Sequence, residues 1–178
     1  MNIIIEGIDK AGKSTIAADI REALYPANPV TFKLTQKPQQ GNFFSQEAVI
    51  TLYKEMFGQT RHAQNADHLF IFDRSYPSEM VYSIKRGYDA LSNKDLLELD
   101  EKLGEEHNTL LIYCEADAKT ISKRFKSEKE EYLTDEDIEQ ILDRYNIFLM
   151  KTKLPFIKIN SLTDRGANLA AVRKFLNR

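Results

Sequence analysis

Apolar runs punctuate the chain at residues 2–6, 30–34, 68–72, 109–114 and 156–160. Each is rich in Ile, Val, Leu or Phe and lacks a clear period-2 alternation, as expected of strands buried on both faces of a parallel sheet. Between them lie stretches with helical spacing at 13–24, 45–57, 77–85, 94–103, 118–126, 135–150 and 168–176. In the second of these Val49, Leu52, Tyr53 and Met56 fall on one face. Thr134 or Asp135 suits the N-cap of the longest. There is no internal repeat and no low-complexity linker. Strand–helix alternation from end to end predicts a single α/β domain over 1–178, with helices on both faces of the sheet. Ligands in such sheets lie beyond the carboxyl ends of the strands. The loops after residues 6, 34, 72, 114 and 160 are therefore where chemistry is expected.

The first of those loops reads Gly7-Ile8-Asp9-Lys10-Ala11-Gly12-Lys13-Ser14, followed by Thr15. It fits G-x-x-x-x-G-K-[ST] in full, and it sits between a predicted buried strand and a predicted helix, the context the pattern requires. Glycines allow the backbone a close approach to an anion, and the following helix presents its positive end to it. Lys13 is placed to bridge the outer phosphates of a nucleoside triphosphate, and the Ser14 hydroxyl to hold its Mg²⁺. Asp9 beside a triphosphate needs another task, such as binding a sugar hydroxyl. Lys10 is placed to lie over the transferred phosphoryl group and offset its charge. Solvated loop charges are the plain alternative for both.

At the end of the third predicted strand stands Asp73-Arg74-Ser75-Tyr76-Pro77-Ser78. Asp73 there can orient the Mg²⁺ shell through water, and Arg74 can fork onto a phosphate. A helix cap with its ion-pair partner is the competing reading, and Pro77 suits a first helical turn under either.

Composition changes this picture little. The chain has 178 residues, a net charge of −2 and interspersed acids and bases. An extended nucleic-acid grip, which asks for a basic face, is not expected. Cys114 stands alone, so there is neither a disulfide framework nor a multi-cysteine zinc site, and it reads as a small core hydrophobe. His62, His68 and His107 lack metal-ligand spacing with one another. No run approaches the length of a membrane span, and the opening Met1-Asn2-Ile3-Ile4 does not read as a signal peptide. A cytoplasmic location is expected, the host's cytoplasm if the chain is viral.

With the loop and the Asp-Arg pair in hand, the chain resembles the thymidylate kinase family of P-loop nucleoside monophosphate kinases. Glu6 to Thr15 is similar to that family's opening loop, including the carboxylate and its basic neighbour. Asp73-Arg74-x-x-x-Ser78-x-x-x-Tyr82 is similar to its D-R-Y-x-x-S-x-x-A-Y segment, and Phe57-Gly58-Gln59-Thr60-Arg61 to its F-x-x-x-R. The resemblance implies a five-stranded parallel sheet of order 2-3-1-4-5 and transfer of the γ-phosphoryl of ATP, with Mg²⁺, to dTMP. It implies a lid after the fourth strand, about 123–133, whose cations Lys123, Arg124, Lys126 and Lys129 close over ATP, and frequently a homodimer. Carried over residue by residue, Asp9 binds the deoxyribose 3′-hydroxyl, Arg74 the acceptor phosphate, Phe57 stacks on thymine and Arg61 meets a base carbonyl. Ser78 and Tyr82 join the acceptor site, and Lys10 or Arg124 takes the place of a catalytic arginine. Three features depart from the family pattern. Gln36-Lys37-Pro38 stands where the family often has R-E-P or R-F-P, leaving Lys37 as the candidate phosphate ligand. Ser75 replaces the usual aromatic, and the stretch from Phe57 to Asp73 is short, which suggests a compact, viral or divergent member.

Asp-Arg-Ser is also similar to a signature of deoxynucleoside kinases. A nucleoside 5′-hydroxyl wants a general base, and in those kinases a carboxylate just after the second strand supplies it. Here no Asp or Glu occurs between Asn28 and Gln46, while Lys33 and Lys37 do. A monophosphate is already an anionic nucleophile and needs cations instead, which favours it as acceptor. A nucleoside kinase, a kinase of a hydroxylated thymine-type base in DNA, and a P-loop regulatory module without a small-molecule acceptor remain the alternatives.

Overall fold

The computed structural model describes residues 1–23, 30–33, 46–62, 69–128, 132–160 and 164–176. Of the expected elements, Leu24, Leu34, Ser45 and His68 at their edges lie outside the described residues, as do Lys37 and residues 129–131 of the expected lid.

The apolar runs form strands β1 (Asn2–Glu6), β2 (Val30–Lys33), β3 (Phe70–Asp73), β4 (Thr109–Glu115) and β5 (Phe156–Asn160). All pair in parallel, in the order β2-β3-β1-β4-β5. Ile5 sits level with Asp73 on one side and Ile112 on the other, which fixes the register at the carboxyl edge. β1, β3 and all but the last residue of β4 are buried, whereas the edge strand β5 buries only Ile159 fully. That gradient is why the central strands read as unbroken apolar runs: both of their faces are covered by helices.

Helices α1 (Lys13–Ala23), α2 (Gln46–His62), α3 (Tyr76–Tyr82), α4 (Lys94–Glu105), α5 (Ala118–Glu128), α6 (Asp135–Lys151) and α7 (Arg165–Leu176) connect the strands. α2 runs five residues past the predicted stop at Phe57, through Gly58 to His62. The segment expected as one helix over 77–85 divides into α3 and a 3₁₀ turn, Ser83–Arg86, closed by Gly87 in a left-handed conformation. α6 opens with a capping box: Thr134 accepts from the Asp137 amide, and Asp137 accepts from the Thr134 amide. α4 is capped by Asn93, which accepts from the Leu96 amide at 3.1 Å.

Two buried polar nodes fix these helices over the sheet. Asp100 accepts from Tyr76 (2.5 Å), Thr152 (2.7 Å) and the Lys153 amide (2.6 Å), binding α4 to the start of α3 and the end of α6. Arg144 donates to the Met80 and Val81 carbonyls and to Ser83, satisfying the carbonyls left open at the end of α3. Buried charges are retained when every donor and lone pair finds a partner. The first turn of α3 is thereby held rigidly beside the loop that follows β1. No helix among the described residues is long and apolar enough to cross a membrane.

Candidate active site

β1 ends on Glu6, and the chain turns at Gly7 with φ 145°. A Cβ there would lie 2.6 Å from the Cys114 carbonyl oxygen, so the turn passes hard against β4 and only glycine fits. Lys10 (φ 66°) and Gly12 (φ 91°) are also left-handed, and the Ala11 amide donates to the Ile8 carbonyl. The loop closes into the first turn of α1, where Lys13 lies buried with Nζ donating to the Ile8 carbonyl at 2.8 Å. Burial lowers the Lys13 pKa to about 8, with the Arg74 charge acting in the same direction. The ammonium lies 3.8 Å from Asp9 Oδ1, and the Asp9 and Glu6 charges oppose the shift without cancelling it, so a phosphate that adds negative charge would favour the charged form. Ser14 Oγ donates to Asp73 Oδ2 at 3.2 Å, so the hydroxyl and the carboxylate converge across 59 residues of chain. Thr15 follows Ser14 in the first turn of α1 and is exposed.

Arg74 leaves the end of β3 with φ 74°, a strained conformation for a residue with a Cβ. Its amide still donates to the Ile5 carbonyl, so the ladder is kept while the side chain is thrown back over the loop. There the guanidinium donates to Asp9 Oδ1, to Ser78 Oγ (3.0 Å) and to the Gly7 carbonyl (3.4 Å). It also stands 5.2 Å from the Tyr82 ring centre, and the Tyr82 hydroxyl accepts from the Asp9 amide. Asp9, Lys13, Ser14, Asp73, Arg74, Ser78 and Tyr82, singled out from separate motifs, are thus one cluster.

The expected lid also reaches the loop. Lys10 pairs with Glu128, Arg124 donates to the Lys10 carbonyl, and Tyr132 donates to Asp9 Oδ2 at 2.8 Å. These contacts tie the end of α5, and the chain leading into α6, to the Asp9-Lys10 step.

Phe57 and Arg61 are placed differently from the expectation. Phe57 is 1% exposed, with its ring 4.8 Å from that of Phe72 and edge-on to Tyr76, so neither face is open to a base. Arg61 pairs with Glu106, near the amino end of β4, where the Asn2 amide donates to the Asn108 carbonyl. α2 descends from the carboxyl to the amino edge of the sheet, so its last turn ends on the far side from the phosphate loop. In this structure the F-x-x-x-R pair is thus a core phenylalanine and a part-exposed, ion-paired arginine one turn later on α2.

Other residues join the site without having been anticipated. Glu6 has no exposed surface and accepts from the Ser75 amide (2.6 Å), Ser78 Oγ (2.6 Å) and the Tyr145 hydroxyl (3.0 Å). Burial raises its pKa against the opposing pull of Arg74 and these donors. It fastens the start of α3 to the end of β1. One signal in the sequence was available, since a carboxylate closing an otherwise apolar buried strand needs partners. Tyr145 on α6 and Tyr132 had no local signal, because their roles depend on tertiary contacts.

No protein-family model matches the chain, and no curated protein matches it by sequence. Solved structures do match its fold along its whole length. YorR protein from Bacillus subtilis, in complex with phosphorylated GDP, shares 24% identity at TM-score 0.69, covering 99% of this chain and 95% of that one. Deoxyadenosine kinase from M. mycoides, with dCMP and dCDP bound, shares 23% at TM-score 0.62, covering 99% of both. Thymidylate kinase from Candida albicans shares 17% at TM-score 0.61, covering 99% and 90%. The 2-3-1-4-5 parallel sheet and the phosphate loop after its first strand give this chain the fold of the P-loop nucleotide kinases, thymidylate kinase among them.

Proposed function

We propose that the protein transfers the γ-phosphoryl group of ATP to a deoxynucleoside monophosphate. The observation that carries this reading is the engagement of every described carboxylate around the loop. Glu6 is enclosed and saturated by donors, Asp73 is held by Ser14, and Asp9 is held by Arg74 and Tyr132. No unengaged carboxylate faces the loop among the described residues, and the sequence from Asn28 to Gln46, where a nucleoside kinase would carry its base, contains no acid. An acceptor that arrives as an anion needs no base, but it does need cations.

In this reading the backbone from Gly7 through Thr15, including Ala11 and Gly12, cradles the ATP phosphates, with Lys13 on the outer ones. Ser14 and Asp73 would hold Mg²⁺, which supplies charge neutralisation between the phosphates. Their convergence at 3.2 Å, at the first turn of α1, fits that pair of hard oxygen donors. Arg74 exchanges Asp9 for the acceptor phosphate, which frees Asp9 for a sugar hydroxyl. Lys10 and Arg124 offset charge on the group in flight when they give up their present partners. Lys37 belongs to the acceptor side on its sequence position alone.

The family likeness names dTMP as acceptor, on the strength of Asp9, Phe57, Arg61 and Arg74 together. Phe57 packed on Phe72 and Arg61 paired with Glu106 lend that base assignment no support, so the acceptor is proposed at the level of a deoxynucleoside monophosphate. Incubating the protein with ATP·Mg²⁺ and separate deoxynucleosides and their monophosphates, then resolving the products, tests the reading. Monophosphates should yield diphosphates. Phosphorylation of nucleosides with monophosphates left untouched would replace it with the nucleoside kinase alternative.

A further inference from the structure

Capture of an acceptor phosphate makes two conflicting demands on Arg74. Its Nη2 has to give up Asp9, yet the guanidinium has to stay aimed while it does so. The backbone offers no help, because a residue at φ 74° keeps that conformation only where its surroundings over-determine it. Apart from the face of the Tyr82 ring, the other anchors of the side chain lie on Nη1. Nη1 donates to Ser78 Oγ at 3.0 Å and, at a longer 3.4 Å, to the Gly7 carbonyl.

Ser78 is a link and not an end point. A guanidinium only donates, so Ser78 Oγ accepts from Arg74 and has its own single proton left to give. That proton goes to Glu6 Oε2, 2.6 Å away, on a carboxylate that only accepts when ionised. The Tyr145 hydroxyl, 3.4 Å from Ser78 Oγ, has closer acceptors in Glu6 Oε2 (3.0 Å) and the Gly7 carbonyl (3.1 Å). Donor direction is therefore fixed from Arg74 through Ser78 to Glu6, across 72 residues of chain. Glu6 is a firm far end. It has no exposed surface, closes the central strand β1, and takes the Ser75 and Ser78 amides on Oε1 at 2.6 and 3.3 Å. Burial works to raise its pKa, and the Arg74 charge is the foremost influence against it, so the two ions act on each other across Ser78. A side chain whose own partners are locked can lock the next one in turn.

We propose that Glu6 and Ser78 are positioning residues for the acceptor phosphate, holding the Nη1 side of Arg74 in place while Nη2 exchanges Asp9 for that phosphate. Glu6 touches no substrate in this arrangement and moves no proton. Two carboxylates thus serve one arginine: Asp9 directly and replaceably, Glu6 through Ser78 and permanently. When Asp9 turns to a sugar hydroxyl, the buried Glu6 charge still offsets the guanidinium.

The inference rests on the monophosphate kinase reading, and the order of the assays separates the two. The wild-type product panel comes first. Nucleosides phosphorylated with monophosphates untouched would overturn both, since Arg74 would have no acceptor phosphate to meet. Where monophosphates turn over, Ser78→Ala should lower acceptor kcat/KM about tenfold, mostly through KM, and leave the KM of ATP within about twofold. In an Arg74→Ala background the same substitution should cost less than about twofold, because the group it positions is gone. Equal losses in both backgrounds would overturn the relay and leave the kinase reading standing. Acceptor and ATP KM rising together would overturn it too, as the mark of a loop merely loosened. Glu6→Gln should repeat the Ser78→Ala pattern and add little to it in the double variant, and additive losses there would take Glu6 out of the relay. A melting curve checks that Glu6→Gln folds; if it does not, the cycle of Ser78 with Arg74 decides alone.

Discussion

The Arg74 guanidinium sits on the Asp9 carboxylate, closing in space a gap of 65 residues between two motifs. Burial works to raise the Asp9 pKa, but Arg74 and Lys13 outweigh it and hold the carboxyl below the ordinary range. In the ligand-free protein the two proposed acceptor ligands therefore neutralise each other. An incoming phosphate competes for Arg74, and a sugar hydroxyl then has Asp9 to itself.

Arg74→Lys tests that exchange. Lysine keeps the charge but loses the planar fork that can hold a carboxylate or phosphate through two bonds. kcat/KM for the acceptor should fall by roughly tenfold to a hundredfold, with a much smaller change in the KM of ATP. Equal changes in both substrates would place Arg74 on the ATP side.

Lys13 gives a pH signature. Its pKa of about 8, against 10.5 in an unfolded chain, means the folded protein binds fewer protons between those values. This group's contribution to stability therefore rises as pH climbs from 8 toward 10.5, and below 8 its burial cost is present in full. ATP phosphates should pull it back to the charged form. Calorimetric titrations at pH 8 in buffers of different ionisation enthalpy should show uptake of roughly half a proton per ATP. Lys13→Ala should abolish the uptake and cost several kcal/mol in transition-state stabilisation. Uptake that persists in the variant would assign the proton to another group.

Asp73 and Ser14 are read through the metal. Asp73→Asn retains size and one acceptor oxygen but removes the charge. The Mg²⁺ concentration needed for half-maximal rate should rise about tenfold or more, since outer partners of a metal site carry effects of that order. The acceptor KM should stay near the wild-type value. A changed acceptor KM with unaltered Mg²⁺ dependence would move Asp73 to the acceptor side.

The strands and the phosphate loop were legible because local rules determine them: a doubly covered strand is an apolar run, and an anion loop needs its glycines. The Asp73-Arg74 step was legible as an acid and a base at a strand end. Phe57 and Arg61 were not, because i, i+4 spacing describes a buried helix face as well as a ligand-binding one, and only the direction of α2 separates them. Phe57→Ala should accordingly lower stability by about 3–5 kcal/mol, as truncation of a core phenylalanine does. Chemical denaturation measures this, and an acceptor KM that rises with stability intact would restore the stacking role.

Gly7 and Gly58 make a controlled pair for the loop. A Cβ at Gly7 would meet the Cys114 carbonyl at 2.6 Å, on a backbone with φ 145°, so neither the space nor the conformation admits a side chain. Gly7→Ala must push the loop off β4 and misalign the amides that face the phosphates. ATP binding should be lost beyond about a hundredfold, because a preformed anion cradle works only when its donors converge. A Cβ at Gly58 in α2 would meet nothing within 4 Å, and alanine suits a helix interior better than glycine. Gly58→Ala should therefore raise stability by about 0.5–1 kcal/mol and leave ATP affinity unchanged. Titration calorimetry with ATP and a melting curve on both variants decide the point. Retained ATP affinity in Gly7→Ala would mean that the close approach to Cys114 is not what shapes the cradle.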